Sequence, residues 1–107
     1  MRVYKYSLEG LLTDFSCKVQ MPAHEPILEV AFQNSVFGQG LMAWVLVRNR
    51  EPELVERSFV LVPTGAVVKD SADAPAQYIK SLVGGFGVIM HLFENTPVVL
   101  GDHLDRG

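Results

Sequence analysis

Hydrophobic and polar residues alternate with a period of two along most of this chain. From Asp14 to Met21, Phe15, Cys17, Val19 and Met21 fall on one side, and Asp14, Ser16, Lys18 and Gln20 on the other. Successive side chains of a strand point to opposite faces, so this pattern predicts a strand buried on one face. Val3 to Leu8 likewise sets Tyr4, Tyr6 and Leu8 against Lys5 and Ser7, with Gly10 to Thr13 as the connection. Met21-Pro22-Ala23-His24-Glu25-Pro26 reads as a loop, because its two prolines remove backbone donors and disfavour helix before them. Ile27 to Asn34 resumes the alternation, with Leu28, Val30 and Phe32 against Glu29, Ala31 and Gln33. Gly38-Gln39-Gly40 then interrupts it.

Leu41 to Val47 is apolar at every position, and its β-branched and aromatic content predicts a strand buried on both faces. Beyond the polar turn Asn49 to Glu53, Val55, Arg57, Phe59 and Leu61 alternate with Glu56, Ser58, Val60 and Val62. These two segments are expected to pair as an antiparallel hairpin. Ala66-Val67-Val68 is read as a short strand and Lys69 to Pro75 as an exposed loop. Asp73 to Ser81 is the one place for a helical turn. Tyr78 to Val83 and Phe86 to Phe93 flank Gly84-Gly85, a hairpin signal. Val98 to Leu100 offers one more strand before a frayed end. Short strands at regular spacing predict an all-β fold, a small antiparallel β-sandwich or open barrel of about seven strands. The single domain is expected to hold a β-rich body over 1–94 and a C-terminal extension over 95–107.

Composition narrows the function classes. The 107 residues are 49% hydrophobic and 20% charged, which excludes a disordered chain. The net charge of -3 excludes a generally basic coat, so nucleic acid is not an expected partner. One cysteine excludes an intramolecular disulfide framework and a multi-cysteine zinc site. No apolar run reaches the ~18 residues of a membrane span, and Met1 to Tyr6 lacks the apolar core of a signal peptide. The expected location is therefore the cytoplasm. Segments 41–47, 59–62 and 86–93 carry apolar residues on both faces, more than a small monomer hides. A homo-oligomer, dimer or higher, is the economical expectation, with Trp44, Ile89, His91 and Phe93 as interface residues.

Several short motifs stand in a telling order. They are Val3-Tyr4-Lys5-Tyr6, Met21-Pro22, Ile27-Leu28-Glu29-Val30, Gln33-Asn34, Ala43-Trp44-Val45-Leu46-Val47, Glu56-Arg57-Ser58-Phe59, Thr64-Gly65, Tyr78-Ile79, and Gly84-Gly85 leading to His91-Leu92-Phe93-Glu94. Over residues 3–94 the chain resembles a family of small phage and prophage proteins known only as a domain of unknown function. The resemblance implies a compact β-rich domain and a viral genomic context, and nothing firmer; the cytoplasm expected above is then the host cell's cytosol. It lends no catalytic or binding residues. The tail after Glu94 and the pair Ala66-Val67 depart from that pattern and add apolar surface.

No residue set assembles into a reaction centre. His24, His91 and His103 lack spaced co-ligands, so no metal or other cofactor is expected. Cys17 lies on an apolar strand face and reads as a core thiol. Gly38-Gln39-Gly40 and Gly84-Gly85-Phe86-Gly87 lack the Lys-Ser/Thr of a phosphate loop. Arg48, Arg50 and Arg57 stand near Glu51, Glu53 and Glu56, an arrangement expected to form surface ion pairs. The same arginines with Lys69 are the one cationic group able to hold a small anionic ligand, such as a nucleotide phosphate. The expected function is accordingly non-enzymatic: a phage-type interaction protein acting on a host component or sequestering a small ligand. The alternative is a structural or assembly component of a phage particle.

Overall fold

The computed structural model describes residues 1–35, 38–83 and 87–97. Seven strands form two antiparallel sheets: β1 (Arg2–Ser7), β4 (Gly38–Val47) and β3 (Ile27–Ser35) in that order, and β2 (Ser16–Pro22), β5 (Leu54–Pro63), β7 (Ile89–Glu94) and β6 (Gln77–Val83) in that order. The sheets face one another as a β-sandwich. The inner faces follow the alternation read from the sequence. Leu41, Ala43, Val45 and Val47 of β4 oppose Phe59 and Leu61 of β5, Leu92 of β7 and Leu82 of β6, all buried. Leu8, Leu11, Met21 and Val30 complete the core. Each large aliphatic or aromatic side chain so buried contributes about 1.5–3 kcal/mol.

Several elements differ from expectation. Residues 41–47 and 55–62 do not form a hairpin: β4 pairs with β1 and β3, whereas β5 pairs with β2 and β7. The turn Asn49 to Glu53 therefore carries the chain from one sheet to the other. β4 is buried on one face only; Met42, Trp44 and Leu46 on its outer face are half-buried. Gly38 to Gly40 lies inside β4 and does not interrupt it. Residues 66–68 form no strand, and Val67 is 91% exposed. Residues 73–81 hold no helical turn.

The helix lies in the segment read as a mere connection. α1 (Leu11–Asp14) is a single turn bounded by left-handed residues, Gly10 (φ 97°) and Phe15 (φ 59°). Asp14 and Phe15 thus leave the strand predicted for them, and β2 begins at Ser16. A bulge between Ile27 and Glu29 turns Ile27 toward the core and leaves Leu28 exposed. β6 pairs with β7 as an antiparallel neighbour, Val83 opposite Ile89. The turn at Gly84-Gly85 and the strand over 98–100 lie outside the described residues.

A second bulge, between Tyr78 and Lys80, lies on β6. It lets Lys80 cross to the other sheet, where Nζ meets Glu29 Oε1 at 2.5 Å and the Val30 carbonyl at 2.9 Å. This clasp joins the edge strands β3 and β6. Pairing with Lys80 also holds the Glu29 carboxyl below its ordinary range. β5 and β6 run parallel, with β7 between them. Residues 64–76 are thus a crossover, and since the inner side is filled by core, it passes on the outer side. Val62, on the outer face of β5, is only 7% exposed.

Candidate functional site

Three places in the described residues bring chemistry-bearing groups together. The first is at the end of the sandwich where β2 and β7 finish. The alternation of β5 puts Arg57 on its inner face, between Val55 and Phe59. Arg57 Nε donates to Glu94 Oε2 and Nη2 to Oε1, each at 2.7 Å. Nη1 donates to the carbonyls of Pro22 at 3.1 Å and Glu25 at 2.9 Å. Thr96 Oγ1 donates to Glu94 Oε2 at 2.6 Å and accepts from the Ser58 amide at 3.0 Å. Burial pushes the Glu94 carboxyl up, but the bonds from Arg57 and Thr96 and the charges of Arg57 and His24 outweigh it and hold it below the ordinary range. The bidentate pair therefore ties the β2–β3 loop to the end of β7, and that loop carries His24 at φ 59°. A groove of about 960 Å³ runs over this end, floored by Arg57 and Glu94 and flanked by His24, Glu53 and Glu56.

The cationic group expected from the sequence does not assemble around a free anion site. Arg57 is buried against Glu94. Arg48 follows β4 and turns to Glu25: its amide donates to Oε2 at 2.8 Å and Nε stands 3.8 Å from Oε1. Arg48 and Arg57 thus both engage Glu25, Arg48 through its carboxylate and Arg57 through its backbone carbonyl. Arg50 and Lys69 are exposed, and no contact among the described residues joins them to that pair. Glu56 bonds outward to Lys18, 3.9 Å away, as a surface pair.

The second place is the outer face of β6 and β7. His91 Nδ1 lies 2.8 Å from Ser81 Oγ, and Nε2 lies 2.8 Å from Thr64 Oγ1. Tyr78 Oη lies 2.8 Å from Ser81 Oγ, and Thr64 Oγ1 donates to the Ile89 carbonyl at 3.5 Å. One consistent set of protons runs from Tyr78 to Ser81, from Ser81 to Nδ1, and from Nε2–H to Thr64. The hydroxyls and the imidazole thus satisfy one another. Ile89, His91 and Phe93 share this outer face, and the Phe93 ring meets Tyr78 edge-on at 5.7 Å and 69°. Trp44 lies elsewhere, on the outer face of the other sheet, opposite Lys5 and Glu29. The four residues read together as interface are split between the two outer surfaces. Phe93, Trp44 and His91 are half-buried within the protomer, and Ile89 is 40% exposed.

The third place was not legible in the sequence. At the end opposite the Arg57 groove, the sheets part around an apolar cavity of about 240 Å³. Leu11, Phe32, Leu61, Leu82 and Met90 form its walls, and Leu12, Phe15 and Val88 form its rim. Those three rim residues are 47%, 52% and 50% exposed, and Val83 and Ile89 continue the apolar surface beside them. Phe15 keeps its left-handed backbone while its carbonyl accepts from the Leu61 amide at 2.8 Å. Cys17 is half-buried, and burial pushes its thiol up to about 11, as expected of a packing residue.

Comparison with family models gives a match to Domain of unknown function (DUF7352) over residues 1–99. The chain belongs to this family. No curated protein and no solved structure matches it. The family match spans both the Arg57–Glu94 clip and the apolar cavity, so both lie within the family's domain.

Proposed function

We propose that this chain is a non-enzymatic binding module of phage origin, acting in the host cytosol on a host component and self-associating as a small homo-oligomer. The observation that carries this reading is the apolar end. Leu12, Phe15 and Val88 are large, exposed and rim the cavity, and the exposed pair Val83 and Ile89 adjoins Val88 along the chain and across β6 and β7. Such a concentration is the usual mark of an interaction surface. The polar clusters point the same way, because Arg57, Glu94 and Thr96 bond to one another, as do Tyr78, Ser81, His91 and Thr64. Groups so engaged brace the fold. The order of short motifs from Tyr4-Lys5-Tyr6 to His91-Leu92-Phe93-Glu94 supports the phage origin.

The test is capture of host proteins on immobilised full-length chain, with light scattering on the free chain alongside. Leu12→Lys and Ile89→Lys are expected to lose the bound component and Val67→Lys, on the crossover, to retain it. An unchanged bound set across all three variants would remove the reading. A mass near the 11.8 kDa of one chain at every concentration would remove self-association from it.

A further inference from the structure

We infer that the cavity between the sheets at the α1 end is a binding site for a small, neutral, apolar group the size of one aromatic ring or a short branched alkyl chain. This rests on the binding-module reading and adds the chemistry of what enters. The lining decides that chemistry. All the described residues around the space are apolar, and none of them is titratable. An ion or a sugar placed there would lose its water without gaining a partner, at a cost of several kcal/mol. The size decides the rest. A dry apolar cavity of ~150 Å³ lined by aliphatic and aromatic side chains binds benzene, whereas drug-sized ligands occupy about 300–1,000 Å³. At about 240 Å³ the space exceeds the first and falls short of the second. A nucleotide is excluded from this cavity on both counts.

The walls and the rim divide the work. Leu11, Leu61 and Leu82 are buried and belong to the core, so the floor is fixed. Met90 and Phe32 pack partly against that core, and methionine adapts readily to an irregular guest. Leu12 stands on α1, a single turn closed by a left-handed residue at each end, and Phe15 is the residue that closes it. Their exposed side chains give an entering apolar group a surface to land on before it passes between the sheets.

Toluene, titrated into the full-length chain, is the probe, with methyl NMR and thermal unfolding as readouts. The expected result is a saturable shift of the Leu11, Leu61, Leu82 and Met90 methyls and a rise in Tm. Val67 and Val3, exposed elsewhere, should stay unmoved. Adenosine monophosphate should leave the four methyls where they are. Met90→Phe, which fills the space, should abolish the toluene response while its own unfolding stays cooperative. If that variant does not fold, the wild-type methyl pattern decides alone. No response, or a non-saturating one spread over all exposed methyls, overturns the site. The module reading survives that result if Leu12→Lys and Ile89→Lys still lose their bound component, so the two can fail separately.

Discussion

The guanidinium of Arg57 and the carboxylate of Glu94 meet fork to fork, two bonds of 2.7 Å, with both side chains almost wholly removed from solvent. Geometry of this kind fixes direction as well as distance. It also sets a hazard, because neither charge can lose the other without being stranded.

Removing one partner should be far worse than removing both. Arg57→Met or Glu94→Leu alone is expected to cost about 3–5 kcal/mol, the penalty of an uncompensated buried charge. The double variant Arg57→Met/Glu94→Leu should recover much of that loss, though not the two bonds from Arg57 to the Pro22 and Glu25 carbonyls. Urea unfolding of the three variants measures the coupling. Equal losses that simply add would show that the pair contributes nothing as a pair.

The same carboxylate makes stability depend on pH. Its folded pKa lies below the ordinary 4.5, so the folded state holds the charged form more tightly than the unfolded chain does. The resulting stabilisation is complete above the unfolded value. It declines as pH falls through 4.5 and is gone below the folded value. The Tm gap between wild type and Glu94→Gln should therefore be widest near neutrality and narrow in acid. A gap independent of pH would assign the effect of Glu94 to packing.

Phe15 separates backbone strain from side-chain burial. At φ 59° an aromatic residue sits where asparagine is tolerated and β-branched residues are not. Phe15→Asn and Phe15→Val both remove the ring. Phe15→Val should nevertheless be the less stable by ~1–2 kcal/mol, the left-handed penalty. Parallel chemical unfolding of the two variants compares them directly, and equal stability would mean that α1 relaxes.

Cys17 should be slow to react. Its thiol is raised from 9.0 to about 11, two units, so the native thiolate fraction near neutral pH falls about a hundredfold. Alkylation by iodoacetamide is expected to be slower by that order in buffer than in urea, where the ordinary value returns. Similar rates in both solvents would place the sulfur in a more open setting.

Much of the architecture was legible because period-two alternation reports which face is buried, and it did so for β2 from Cys17 onward and for β5 up to Leu61, whereas β7 reads as apolar on both faces. It does not report which strand lies beside which. Residues 41–47 and 55–62 look like hairpin partners by spacing, yet they stand in opposite sheets, because Asn49 to Glu53 is a corner between layers. The Arg57–Glu94 clip was within reach. Arg57 shares the inner phase with Val55, Phe59 and Leu61, and Glu94 shares it with Met90 and Leu92. A charge in each apolar phase calls for a partner. Spacing along the chain groups Arg57 with Arg48 and Arg50, both of which lie on the surface. The cavity left no trace in the sequence, because it is the space between α1, β3 and the β6–β7 end, set by the spacing of layers. α1 itself is a single turn, too short for a 3.6-residue period to register.

The strand order of the larger sheet governs how the molecule can be made. β6 lies next to β5 along the chain but not in space, and the slot between them belongs to β7, which is translated after both. Until Ile89 to Glu94 has left the ribosome, two strand edges stand open and Arg57 has no counter-charge. Maturation of this domain must therefore wait for β7, and shortening the chain ahead of Ile89 leaves a nascent product prone to pair with its neighbours.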